Sequence, residues 1–398
     1  MRKLTLISAV VVAALFGTAA TLTACKSSDR SGQPRIAYIT NGVASFWTIA
    51  KSGAEAAGRQ LNVRVSVHMP AEGIADQKRI VEDLLIRGVD GIALSPIDSA
   101  NQGSFINETA AKTLLITHDS DAPNTNRLAY IGMDNYQAGR MLGELIRESL
   151  PRGGKLAIFV GRLEQDNARK RRQGVIDEVL GRSFDSSRYD PPGELLSYQQ
   201  FSIVVTLTDQ FDRVKAKANC EDAVLRHPDL AGVIGLFGYN APVCLEALKQ
   251  NNKLGTIKVF SFDEADETLQ GIKDGVIVGT IVQNPYEYGF QSVRLLKELV
   301  AGNLSAIPDS KFIDIPARRI DRTNNRCLTN MHDVFAHAGN LERLLGVIER
   351  ACQSCNRVDH RHAGAVSDMS LMTVTTRGIK ASRMRCPNSG VARRASPT

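Results

Sequence analysis

The chain has 398 residues, 43% of them hydrophobic and 23% charged, amounts ordinary for a soluble globule and sufficient for two domains rather than one. Its formal charge of +7 sits at the ends: residues 1–25 contribute +2 through Arg2 and Lys3, residues 326–398 contribute +6, and residues 26–325 come to −1. The body is therefore neutral, and its charge gives no reason to expect a nucleic-acid partner.

The chain opens on Met1-Arg2-Lys3, an apolar run over residues 4–20, and Leu22-Thr23-Ala24-Cys25. A short basic region, an apolar core and a small-residue cleavage site make a secretory signal peptide. The cysteine at the cut resembles the lipobox of bacterial lipoproteins, in which that residue becomes the lipidated start of the mature protein. Cys25 is thus the expected lipidation site, and the expected location is periplasmic, lipid-anchored to a cell membrane. An uncleaved single membrane anchor is the competing reading, because the run is about as long as a minimal spanning helix. Residues 26–34 are polar and read as a flexible tether, so the folded part starts near Arg35.

From there short apolar runs alternate with longer amphipathic ones. Residues 35–40, 63–68, 90–94 and 113–117 read as strands; residues 46–61, 74–87 and a stretch from Asn101 read as helices between them. The rhythm repeats with strands at residues 155–160, 194–197, 230–237, 257–262 and 276–282. The matching helices are residues 167–180, 212–226 and stretches from Ala241 and Pro285. Strand–helix alternation at this interval predicts a parallel sheet with helices on both faces. Arg87-Gly88-Val89-Asp90-Gly91-Ile92 and His227-Pro228-Asp229-Leu230-Ala231-Gly232 each end a helix and turn into an apolar strand. Two similar doubly wound α/β lobes follow from that correspondence. Cys220 and Cys244 fall in helical stretches and read as buried apolar residues rather than a bridge.

In open parallel sheets, ligands collect beyond the carboxyl ends of the strands. Those ends carry Thr40-Asn41-Gly42 and Ser45-Phe46-Trp47, His118-Asp119-Ser120-Asp121, Asn167 with Arg169 and Arg171, Gly238-Tyr239-Asn240, Asp263 and Gln283. Carboxylates, carboxamides and guanidinium groups each engage two neighbouring hydroxyls, and aromatic rings pack on apolar C–H faces. The inventory suits a sugar or other polyol. Taken singly, Asp119 reads equally as a loop cap, Arg171 as part of a solvated basic face, and Phe46 and Trp47 as core.

At these residues the chain resembles the type I periplasmic sugar-binding proteins, the ribose/galactose/xylose-binding family that serves ABC importers. The likeness runs from about Arg35 to Asn325. It is carried by Ser45-Phe46-Trp47, Ile116-Thr117-His118-Asp119-Ser120, Ile131-Gly132-Met133-Asp134-Asn135, Arg169-Lys170-Arg171-Arg172-Gln173-Gly174, Phe211-Asp212-Arg213, Tyr239-Asn240-Ala241, Phe260-Ser261-Phe262-Asp263 and Thr280-Ile281-Val282-Gln283-Asn284-Pro285. The resemblance implies that Phe46 and Trp47 lie against the sugar faces, that Phe211 is a further aromatic wall, and that Asp119, Arg171, Asn240, Asp263 and Gln283 hold hydroxyls. Ser120 stands where ribose binders carry an Arg, and Ala44 with Ser45 where they carry an Asn. These departures point toward another pentose, a hexose or another polyol.

The resemblance also implies two lobes joined by three crossing strands, with the crossings near Met133, Gln283 and Lys311. The first lobe would comprise residues 35–133 and 284–311, the second residues 134–283 and 312–325. It implies a monomer that meets an ABC permease in the inner membrane, with no cofactor, no metal and no catalysis. A binding protein that presents its solute to a membrane kinase or chemoreceptor is the alternative. A repressor of the lactose-repressor type would carry a helix-turn-helix where the export segment stands. No His-Glu-x-x-His, Gly-x-Ser-x-Gly or Walker-type loop supports an enzyme.

From Arg326 the rhythm stops. Leu341, Leu344, Leu345, Ile348 and Cys352 have helical spacing, and the rest of residues 326–398 reads as a largely disordered basic tail or the product of a disrupted reading frame. Cys352 and Cys355, with His360 and His362, lack the second spaced pair that a zinc site needs.

Overall fold

A computed structural model describes residues 32–324, together with the strands Met372–Thr375 and Gly378–Ala381. The export segment with Cys25, most of the tether, the tail helix and Cys352–Cys355 lie outside the described residues. The two late strands pair antiparallel within the span expected to lack regular structure.

Residues 35–324 form two sheets flanked by helices. The first sheet holds β1 (Arg35–Ile39), β2 (Arg64–His68), β3 (Gly91–Leu94), β4 (Leu114–His118), β5 (Tyr130–Gly132) and β12 (Phe312–Asp314), in the order β12-β5-β4-β3-β1-β2. All of its pairings are parallel. Successive side chains alternate faces, and each face has its own core. Ile36, Tyr38, Ala93, Ile116 and Ile131 pack with α1 (Ser45–Leu61) and α9 (Pro285–Val300). Ala37, Ile39, Ile92, Leu94 and Leu115 pack with α2 (Ile74–Ile86) and α3 (Gly103–Ala110).

The second sheet runs β13-β11-β10-β9-β6-β8-β7, with β6 (Gly154–Val160), β7 (Leu196–Tyr198), β8 (Phe201–Thr208), β9 (Leu230–Gly235), β10 (Lys258–Phe262), β11 (Gly279–Val282) and β13 (Arg318–Asp321). Its centre is parallel, whereas the edge strands β7 and β13 run antiparallel to their neighbours. The sequence pattern predicts a single strand at residues 194–197. The structure has a hairpin there instead, and the inner partner of β6 is β8, whose β-branched run Ile203-Val204-Val205-Thr206 lies beyond the expected strand. Helices α4 (Asn135–Ser149), α5 (Asp166–Val179), α6 (Arg213–Arg226), α7 (Asn240–Gln250) and α8 (Asp266–Asp274) complete the lobe. Cys220 on α6 and Cys244 on α7 are buried, unbridged thiols.

The chain crosses between lobes where a strand of one sheet feeds a helix of the other lobe. Strand β5 leads through Met133 and Asp134 into α4, which packs on α5; β11 leads through Gln283 and Asn284 into α9, which packs on α1. Both helices start on a side-chain cap: Asp134 accepts the Gln137 amide and Asn284 the Glu287 amide. Both contacts are close because glycines form them. A methyl group at Gly289 would collide with the Ala50 carbonyl, and one at Gly139 with the Arg171 carbonyl. The third crossing was expected near Lys311, with residues 312–325 in the second lobe. It falls later: β12 extends the first sheet beside β5, Ile315 donates to the Gly132 carbonyl at 2.7 Å, and only β13 joins the second sheet.

Candidate functional site

The two sheets turn their carboxyl ends toward each other, and an aspartate occupies matching places in each. Asp119 follows β4 and Asp263 follows β10. Both have left-handed backbones, with φ of 58° and 64°, a conformation that Asp tolerates better than most residues. Each donates its amide to the next strand, to Ile131 at 3.0 Å and to Ile281 at 2.8 Å.

Around Asp119 Oδ2 stand Ser95 Oγ at 3.2 Å, Asn41 Nδ2 at 3.4 Å and, from the second lobe, Asn167 Nδ2 at 3.4 Å. Loss of water raises its carboxyl to about 7, against the opposing pull of Arg171. Asp263 is raised for the same reason, although Gln283 Nε2 donates to its Oδ1 at 2.8 Å. Gln283 in turn accepts from the Tyr288 hydroxyl at 3.1 Å, tying the second crossing to α9. Next to Asp263, burial lifts Glu264 to about 8.

Arg171 lies on α5 with its side chain wholly enclosed. Its Nε donates to Asn135 Oδ1 at 2.9 Å and its Nη1 to the Leu236 carbonyl at 3.2 Å; the guanidinium lies over Phe262 at 4.8 Å and Phe237 at 5.5 Å. Nη2 has no hydrogen-bond partner among the described residues. The charges of Asp119 and Asp263, one from each lobe, both act on this cation. It is a buried core cation rather than part of a solvated basic face. Asn135 also donates to the Tyr130 hydroxyl at 3.2 Å, and that hydroxyl donates to the Asp119 carbonyl at 2.8 Å. A continuous hydrogen-bonded chain therefore joins Asp119 to Arg171 through the first crossing.

Asn240, at the start of α7, is buried, with its carboxamide between the Phe237 amide and Asp209. Phe211 is 39% exposed and packs against Phe237 at 5.3 Å between ring centres. Phe46 is half-buried, edge-on to Trp47 at 4.8 Å and to Tyr288 at 6.3 Å. Trp47 is 5% exposed and belongs to the first-lobe core, where it meets His118 at 5.8 Å. His118 is stacked on Tyr38, accepts a hydrogen bond from its hydroxyl on Nδ1 and donates from Nε2 to the Ile39 carbonyl; burial lowers its pKa to about 3, so the ring is neutral.

Of the eight residues singled out from the sequence, Asp119, Arg171, Asp263, Asn240 and Gln283 thus converge at the facing sheet ends, and Phe46 and Phe211 are the accessible rings. The strand-end inventory does not include Asp209, Asn135 or Tyr288. Asn135 stands inside a quoted motif, but no residue-level signal marks Asp209 or Tyr288. Among the described residues no group of three or more His, Cys, Asp or Glu side chains is arranged to hold a metal.

Residues 36–304 match the model of the periplasmic binding protein domain family. The chain belongs to that family. The similar proteins include the ribose import binding protein of Salmonella typhimurium, 25% identical over 307 residues that cover 76% of this chain and 94% of the relative. Two solved structures share the architecture of this binding protein. The solute-binding protein of Burkholderia graminis in complex with D-arabinose superposes with a TM-score of 0.65 at 26% identity, covering 73% of this chain and 96% of that one. That of Agrobacterium vitis with bound D-fucose gives 0.63 at 26% identity over the same shares. The two parallel-sheet lobes are those of a type I periplasmic binding protein.

Proposed function

We propose that the protein binds one monosaccharide or related polyol between its lobes, leaves it chemically unchanged, and delivers it to an ABC-type permease of the inner membrane. The observation that carries this reading is Arg171, fully buried and acting electrostatically on an aspartate from each lobe. A neutral ligand rich in hydroxyls suits such a site. It offers acceptors to the guanidinium and donors to both carboxylates, and it brings no charge of its own to be desolvated. Phe46 and Phe211 would cover its apolar faces, with Trp47 supporting Phe46 from behind, while Asn240 and Gln283 would complete the ring of polar contacts. The relatives named for ribose import and the neighbours holding D-arabinose and D-fucose agree with this ligand class.

A thermal-shift screen of pentoses, hexoses, deoxysugars, polyols, nucleosides and amino acids tests the reading. A sugar or polyol should raise the melting temperature; a rise with a nucleoside or amino acid alone would show the ligand class to be wrong. The sequence around Cys25 supports lipid anchoring of the mature protein to a cell membrane. Replacing Cys25 with Ser should then abolish labelling with a radioactive fatty acid and release the protein from membranes; unchanged labelling would rule that residue out.

A further inference from the structure

The carboxyl end of β8 carries Asp209, a carboxylate outside the set of proposed sugar contacts. It is fully buried, and its oxygens serve donors from two loops. Oδ1 accepts the Phe211 amide at 2.8 Å and the Tyr239 hydroxyl, while Oδ2 accepts Asn240 Nδ2 at 3.0 Å. On its other side Asn240 Oδ1 accepts the Phe237 amide at 3.1 Å. A carboxylate only accepts and a backbone N–H only donates, so the two neighbours together admit one orientation of the Asn240 carboxamide. Nδ2 also engages the Tyr239 hydroxyl oxygen, and Oδ1 keeps a second lone pair for another group. The backbone of Asp209 is held as well: its amide donates to Val160 at 3.1 Å and the next amide to Gly161 at 2.9 Å. Phe211 has φ of 64°, a conformation that aromatic residues avoid, and the bond from its amide to Asp209 stabilises that turn.

We propose that Asp209 is a positioning residue for sugar recognition, which fixes the orientation of the Asn240 carboxamide and secures the turn that carries the Phe211 ring. The proposal rests on the reading of this site as a monosaccharide site. Asp209 acts through its neighbours and itself touches no ligand. Its effect is to give the second lobe a preorganised acceptor beside an aromatic wall, so that neither is ordered at the expense of binding.

Exchanging the two side chains tests it. In D209N an amide NH₂ faces that of Asn240, donor against donor; in N240D two carboxylates face each other. The double variant D209N/N240D restores a donor–acceptor pair with its polarity reversed. It leaves the carboxylate introduced at position 240 able to accept from the Phe237 amide and from a sugar hydroxyl. Calorimetry with the sugar that gives the largest thermal shift should find each single variant about 10- to 100-fold weaker than wild type. The exchanged pair should recover to within about tenfold of wild type. A pair as weak as the product of the two singles, or D209N binding like wild type, overturns the proposal. If D209N alone does not fold, N240D against the exchanged pair decides. The same cycle is run on urea midpoints without sugar, where the singles should lose stability and the pair regain it. If wild type binds no sugar, the functional reading fails, and the urea cycle still decides whether Asp209 orients Asn240: no recovery in the pair overturns that role.

Discussion

Replacing Asp119 with Asn should stabilise the ligand-free protein in a pH-dependent way while weakening its binding. Three donors reach Oδ2 at 3.2–3.4 Å, too long to offset the loss of water, and burial carries the carboxyl from 3.8 to about 7. The folded group thus holds its proton more tightly than the unfolded one. Below pH 3.8 both states are protonated and the fold bears no penalty; as pH rises only the unfolded state loses its proton, until the folded group ionises near pH 7. The accumulated penalty is about 2 kcal/mol at about pH 5 and about 4 kcal/mol at about pH 8. Asparagine escapes it, and its changed hydrogen bonds weigh similarly at both pH values. The stability of D119N relative to wild type should therefore grow by about 2–3 kcal/mol between about pH 5 and about pH 8, measured by urea unfolding without ligand. A difference that stays flat, or shrinks, would refute the buried carboxyl. Calorimetry on the same samples should show the sugar bound about 10- to 100-fold more weakly by the variant at the higher pH.

Asp263→Ala should abolish the sugar-induced thermal shift; a full shift in the variant would remove Asp263 from the site. Gly289→Ala places a methyl group against the Ala50 carbonyl, forces α9 off α1, and should cost about 1–3 kcal/mol in urea unfolding, where an unchanged midpoint would contradict the close helix contact. Every residue assigned to the ligand lies before residue 326, so deleting residues 326–398 should leave sugar affinity unchanged; a large loss would show that the tail takes part in the fold or the site.

The parts of the site legible in the sequence are those whose position follows from being at the end of a strand. Asp119, Asn240, Asp263 and Gln283 each stand within three residues of the end of an expected strand, and the rule that parallel sheets bind at their carboxyl ends picks them out. Arg171 sits among Arg169, Lys170 and Arg172, and nothing in that run says which cations face inward. The helix decides it: Arg171 packs between Phe237 and Phe262 on the inner face, while Arg169 and Lys170 remain partly exposed beside Asp166. Trp47 shows the reverse case, a strand-end aromatic whose ring turns into the first-lobe core.

By itself the sequence determined the two-lobed α/β plan, because hydrophobic periodicity and strand–helix spacing are local properties that any short window displays. It also determined the chemical character of the strand ends, since residue type alone tells which groups donate, accept or stack. What only the tertiary structure decided are the relations between distant segments. Strand β8 owes its place to pairing with β6, and the third crossing comes after β12 because residues 312–314 find a partner in β5. The pull of Arg171 on both aspartates, the chain from Asp119 through Tyr130 and Asn135, and the grip of Asp209 on Asn240 join residues that lie far apart along the chain. Electrostatic coupling and hydrogen bonding depend on distance in space, which a linear pattern does not encode until the lobes have closed it.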